Sequence, residues 1–204
     1  MSLELYLVFV VASALLVATP GPNVALIVGT SLRHGARSGL TTVAGVGAGL
    51  VLQLAAVAAG LSQIVELFAR HFDLIRYVGA AYLAFLGLQQ LLAKSAPQDA
   101  PVPVLAPERA FGRGFAVAFA NPKTLIFHAA FLPQFVPAGA DGPKVLWLLA
   151  ATYSVIAICG DGLWALLAVR ARMLVTGRAL NIADKASGAI LLAGAGVLLS
   201  VSRK

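Results

Sequence analysis

The chain has 204 residues, of which 60% are hydrophobic and only 11% charged, with a formal net charge of +7 and a mean hydropathy of +0.90. A soluble domain carries about a quarter charged residues to cover its surface, so this composition excludes a soluble enzyme, a disordered chain and a nucleic-acid binder. The basic excess reads as loop charge on a membrane protein, and the single Cys159 excludes a disulfide framework within one chain.

A helix crossing a bilayer needs about 20 apolar residues at a rise of about 1.5 Å each. Six stretches meet or approach that length: 5–32, 39–65, 74–93, 114–136, 145–169 and 187–201, the last being the shortest. The alternating eight-to-eleven-residue runs of a membrane barrel are absent from the sequence. The opening Met-Ser-Leu-Glu has no basic residue, so the first stretch is expected to be a retained helix and not a signal peptide. The expected fold is an all-α polytopic membrane protein with six transmembrane helices in a single domain, 1–204.

A polar stretch, 94–113, contains Pro97, Pro101, Pro103 and Pro107 and divides the chain into halves 1–93 and 114–204, each with three spans. An odd number of spans per half turns the second half upside down, as in the inverted repeats of secondary transporters. The halves share no obvious sequence identity, so six helices without internal symmetry is the alternative. Loops one, three and five carry Arg33, Arg37, Lys94, Arg109, Arg113, Arg170, Arg172, Arg178 and Lys185, whereas loops two and four carry only Arg70, Arg76 and Lys144. That bias puts the odd loops in the cytoplasm and both termini outside. Arg203 and Lys204 then break the rule, a conflict that disappears if the sixth span does not cross fully.

Four places inside the spans are polar in an informative way. Thr19-Pro20-Gly21-Pro22-Asn23 lies deep in span one, and its two prolines remove backbone donors and clash with the preceding turn, which breaks the helix. Asn121-Pro122-Lys123 makes a second break in span four, flanked by an amide and a cation. Broken backbone at membrane depth survives only where protein buries it or a wet cavity meets it. Asp161 sits between Gly160 and Gly162 in span five, and His128 follows Asn121 by two helical turns on the same face. Measured from the odd loops, Pro22–Asn23, Asn121–Lys123 and Asp161 all lie roughly 10–14 Å deep. Three helices therefore bring polar groups to one level.

Each of these residues also has a purely structural reading. A proline kink can serve packing alone, and Lys123 can snorkel to the interface. Asp161 costs about 3 kcal/mol at this depth and needs a partner, either Lys123 or a proton. A permanent ion pair joining spans four and five would satisfy it as well as a proton-coupling role would. His128 can be a hydrogen-bonded core residue or a proton relay. Gly45 and Gly49 have the spacing of close helix packing. Gln53, Tyr82, Gln89 and Gln90 either line a pathway or pair between helices. The sequence contains no phosphate-binding Gly-rich loop, no metal-ligand spacing and no Gly-x-Ser-x-Gly elbow, so no catalytic residue, cofactor or metal is expected.

The order and spacing of several fragments resemble the LysE/RhtB family of bacterial amino-acid exporters, almost end to end. They are Pro20-Gly21-Pro22-Asn23, His34-Gly35 to Gly39, Gly45 to Gly49, and Gly79-Ala80-Ala81-Tyr82-Leu83 with Gly87. In the second half they are Phe111, Gly114-Phe115, Asn121-Pro122-Lys123 and Phe131-Leu132-Pro133-Gln134-Phe135. The resemblance implies an inner-membrane exporter of amino acids or related metabolites, driven by the membrane gradient. The expected partners are an amino-acid-like solute, protons and the lipid bilayer, with no nucleic acid and with a homodimer as an assembly the sequence allows. Pro22, Asn23, Asn121, Pro122 and Lys123 are the expected substrate-binding residues, and Asp161 and His128 the expected proton-coupling residues. The rival readings are a membrane scaffold that transports nothing and a passive solute channel.

A cysteine placed at Ser95 in a Cys159→Ser background is expected to resist an impermeant thiol reagent in intact cells. Labelling from outside would invert the topology.

Overall fold

The structure is a computed structural model that describes residues 1–58, 72–92, 104–137, 141–174 and 177–200. Lys94 to Pro103, with Ser95, and the charges Arg70, Arg203 and Lys204 lie outside the described residues. Every described element is helical: α1 (Leu3–Ala18), α2 (Pro22–Ala58), α3 (Phe72–Leu92), α4 (Pro107–Ala120), α5 (Pro122–Ile126), α6 (Gly142–Leu174) and α7 (Gly177–Ser200). A π turn, Phe127–Phe131, and a 3-10 turn, Leu132–Phe135, follow α5. Local signals start these helices. Ser2 caps α1 by accepting from the Leu5 amide, with Glu4 in the first turn, and Pro107 and Pro122 sit at the first positions of α4 and α5, where a missing N–H costs nothing.

Polar and apolar surfaces are inverted relative to a water-soluble protein. Leu7, Val8, Val11 and Leu15 of α1, Val78, Phe85 and Leu88 of α3, and Val155, Leu163 and Leu166 of α6 are exposed. Asn23, Thr42, Gln53, Asn121, His128, Asp161 and Asp184 are buried. Such continuous apolar exposure calls for a nonpolar surrounding. Pro22–Ala58, Gly142–Leu174 and Asn181–Ser200 are long and apolar enough to cross a membrane, while Leu3–Ala18 is apolar but shorter.

One boundary falls where expected and another does not. The chain turns back within α2 at Gly35, inside the expected first loop and the one described residue with positive φ (77°, ψ −178°). Gly39 then packs directly on Ser31, although residues eight apart on a straight helix would be about 12 Å apart. The last helix begins at Gly177, ten residues before the expected sixth span. Asn181, Asp184 and Lys185 look like loop in the sequence, yet Asp184 is buried because Arg33 pairs with it at 2.7 Å.

Contacts fix the relative directions of the helices. Tyr6 meets Thr152 and Val17 meets Gly160, so α1 runs parallel to α6. Pro22 meets Gly194 and Arg33 meets Asp184, so the first part of α2 runs antiparallel to α7. Gly79 with Leu198 and Gly87 with Leu192 make α3 antiparallel to α7 as well. Beyond Gly35, α2 runs parallel to α4, and the two helices touch backbone to backbone. A Cβ on Gly45 would collide with the Phe111 carbonyl, and one on Gly114 with the Thr42 carbonyl. Arg33, Arg113, Arg172 and Asp184 gather at one end, where Arg172 donates to the Leu32 and Arg33 carbonyls.

Gly45→Val is therefore expected to force α2 and α4 apart and to destabilise the protein by about 1–3 kcal/mol. The thermal midpoint in detergent should fall, while Gly112→Val, with nothing within 4 Å, should leave it in place. Equal behaviour of the two variants would remove this contact from the determinants of the fold.

Candidate functional site

Two helix breaks face each other near the middle of the bundle. α1 ends at Ala18 and α2 begins at Pro22; α4 ends at Ala120 and α5 begins at Pro122. Ending a helix leaves its last carbonyls without intrahelical partners, and no water of the bilayer interior can serve them. Long polar side chains do so here. Lys123 Nζ donates to the Thr19 carbonyl at the end of α1, where the helix dipole favours a cation. Gln53 Nε2 donates to the carbonyls of Ala118 (3.2 Å) and Phe119 (3.3 Å) at the end of α4. Asn121 caps α5, its Oδ1 accepting from the Lys123 amide at 3.0 Å.

Gly21, Asn23, Asn121, Lys123, Thr124, Tyr153 and Asp161 line one small cavity at this meeting point. Its volume is about 20 Å³, room for about one water molecule. The three levels counted along spans one, four and five do converge in space. Within the cavity, Asn23 Oδ1 has no hydrogen-bond partner among the described residues. Asn121 has spent its oxygen on the cap, so its amide nitrogen is the group left for a ligand. Asp161 is 5% exposed and shares the cavity with Lys123, but the two are not within 4 Å, since Lys123 reaches to Thr19 instead.

The remaining expected site residues stand behind this cluster. Pro22 and Pro122 open their helices and do not line the cavity. His128 is 3% exposed, has no hydrogen-bond partner on either ring nitrogen among the described residues and packs edge-on against Tyr153 at 5.1 Å. It lies in the π turn, a local widening of the helix that recurs at functional sites. Tyr153 was not legible as a site residue: in the sequence it is one aromatic among apolar neighbours, and only the packing of α6 turns it toward Asn23 and Asn121.

Apolar layers lie on both sides of the polar cluster along the bundle. Toward the arginine end lie Leu26 on α2, Leu83 and Leu86 on α3, Val117 on α4 and Leu191 on α7, all buried together. Toward the other end Phe9, Phe127, Phe131, Phe135 and Tyr153 form a continuous aromatic layer, with ring centroids 4.7–6.3 Å apart.

A helical bundle with polar groups inside, lipid-type apolar surface outside and two broken helices meeting midway has the construction of a membrane translocator. Residues 14–202 match the LysE type translocator family, and the chain belongs to it; it is a transporter and not an enzyme. It is 30% identical to a homoserine/homoserine lactone efflux protein of Salmonella typhimurium over 100% of this chain and 99% of that one. A leucine efflux protein of Klebsiella pneumoniae is 31% identical over 76% of this chain and 74% of its own. An uncharacterized membrane protein of Vibrio cholerae is 27% identical over the whole of both chains. No solved structure matches.

Gln53→Leu is expected to remove the side-chain donor shared by the Ala118 and Phe119 carbonyls at the cost of about 1 kcal/mol, the Ala118 carbonyl keeping the Asn121 amide at 3.3 Å. Its thermal midpoint in detergent should fall below that of the wild-type protein; an unchanged midpoint would remove Gln53 from the groups that hold the second break.

Proposed function

We propose that the protein exports small amino acids or close derivatives across the bacterial inner membrane, with six spans, cytoplasmic odd loops and proton antiport through Asp161. The observation that carries the reading is the single cavity shared by Asn23, Asn121, Lys123 and Asp161 at the two helix breaks. Efflux of leucine and of homoserine by relatives supports the substrate class. Alternating directions of the helices support six spans. A reciprocal contact supports an inverted repeat: Gly87 packs on Gly188 and Leu192, while Gly188 packs on Gly87 and Leu91. Pro22 and Pro122 each open the helix that follows a break, after α1 and α4 respectively.

Asn23 offers an acceptor to the ammonium of a zwitterion, and Asn121 a donor to its carboxylate. Lys123 completes the carboxylate site when it leaves Thr19, and the vacated carbonyl then accepts from the ammonium. Asp161, the acid of the cavity, takes a proton from outside as the substrate leaves, with the aromatic layer on the exit side and the leucine layer on the cytoplasmic side. His128, behind Tyr153, is placed on the exit side for that proton. Each ligand favours a different conformation, which is the requirement for coupling.

The test is efflux of labelled leucine and homoserine from proteoliposomes, with and without an imposed pH gradient. The wild-type protein should respond to the gradient. Asp161→Asn should still exchange substrate but lose that response, and Asn23→Ala should raise the apparent substrate constant about tenfold, the loss of one hydrogen bond to a charged group. Transport by the wild-type protein that ignores the gradient would make it a passive channel, and no transport at all would make it a scaffold. Normal gradient response in a folded Asp161→Asn protein would remove Asp161 from the coupling.

A further inference from the structure

A second cavity lies at the arginine end, between α2, α3 and α4. Its polar lining is Thr30, Arg33, His34, Gln89, Gln90 and Arg113, set against apolar Leu26, Leu86 and Leu105. Its volume is about 330 Å³, within the range of small-ligand sites, ~300–1,000 Å³, whereas the Asn23–Asn121 cavity holds about one water. Along α2 the order is Asn23, Leu26, Thr30, Arg33; along α4 it is Asn121, Val117, Arg113. The leucine layer therefore separates two polar compartments in series, and the larger one is next to the loops read as cytoplasmic.

The two arginines differ in what they have left to offer. Arg33 is engaged by Asp184 at 2.7 Å. Arg113 donates to Gln89 Oε1 at 3.2 Å, which fixes the guanidinium, and among the described residues no carboxylate lies within ion-pair distance of it. Gln90 lies flat across Gly29, where a Cβ would collide with its amide, so the missing side chain lets that amide form part of the wall. No carboxylate is among the residues lining this cavity. Its chemistry is thus the guanidinium of Arg113, the paired Arg33, the His34 imidazole, neutral amides and a hydroxyl on one side and aliphatic surface on the other.

We propose that this cavity is a loading site for the exporter, in which Arg113 takes the carboxylate of a small amino acid whose side chain rests on Leu26, Leu86 and Leu105. The site rests on the export reading above and narrows its substrate class. It selects amino acids with uncharged side chains and disfavours cationic solutes, before the leucine layer opens toward Asn23 and Asn121. Guanidinium and carboxylate match in a planar, two-point contact, which an ammonium in the same place reproduces only as a point charge.

The test compares L-leucine with L-leucinamide, which keeps the amine and side chain but lacks the carboxylate. Binding to the purified full-length protein and efflux from proteoliposomes are measured for wild type, Arg113→Gln and Arg113→Lys. Arg113→Gln should lower the preference for leucine over leucinamide about tenfold, seen in KM more than in kcat, and Arg113→Lys should recover part of it. A preference for leucine unchanged in Arg113→Gln, in a protein that still transports, would overturn the loading site alone. Leucine binding sensitive to Arg113 without any efflux would uphold the site and overturn export. Absence of both binding and efflux in the wild-type protein would overturn both.

Discussion

Opening a helix inside an apolar medium leaves carbonyls that water cannot reach, and most of the interior is organised around supplying them with donors. An unsatisfied buried polar group costs as much as several good packing contacts gain. The solution here is mutual: Lys123, from the second break, serves Thr19 at the first, while Gln53, from α2, serves Ala118 and Phe119 at the second. Neither break is stable without the other half of the molecule. The close contact of α2 with α4, made through Gly45, Gly49 and Gly114, follows from the same requirement, because Gln53 reaches those carbonyls only when the two backbones nearly touch.

That constraint also produces the layers. Polar groups must be concentrated where the backbone is open, and the remaining depth on either side can be filled with packing. Aliphatic side chains fill the side toward the arginines, and aromatic rings fill the opposite side, where α1, the π turn and α6 meet. The polar centre therefore lies between two apolar layers that hold it in place by side-chain packing.

The sequence carried the centre better than the periphery. Prolines beside asparagines announced both breaks because their effect on the backbone is local, and counting residues from the charged loops put Asn23, Asn121, Lys123 and Asp161 at one depth. The Gly45–Gly49 spacing announced close packing for the same local reason. Partners set by tertiary packing were hidden. Gln53 read as either pathway or pairing, and only the position of α2 against α4 decides for pairing. The start of α7 was masked by Asn181, Asp184 and Lys185, which look like loop until Arg33 arrives from another helix to bury Asp184. The reversal at Gly35 falls in the loop that Arg33 and Arg37 mark in the sequence, whereas the π turn at His128 leaves no composition signal, since it needs only a slight change in helical winding.

The two breaks are alike in position but differ in charge, and the difference suits a zwitterion. Where the first half has Asn23 after its proline, the second has Lys123, so one wall of the cavity is neutral and the other cationic. A cation resting on a carbonyl at the negative end of α1 is well placed while the cavity is empty. A carboxylate drawing Lys123 away would strand Thr19, unless the same ligand brought an ammonium to replace it. A ligand with both groups makes the exchange even: one ion pair forms, and one hydrogen bond to a carbonyl is replaced by another. A simple anion leaves the carbonyl bare, and a simple cation leaves Lys123 in its way. On the export reading proposed above, the asymmetry between the halves would favour solutes with both charges a short distance apart, as in free α-amino acids.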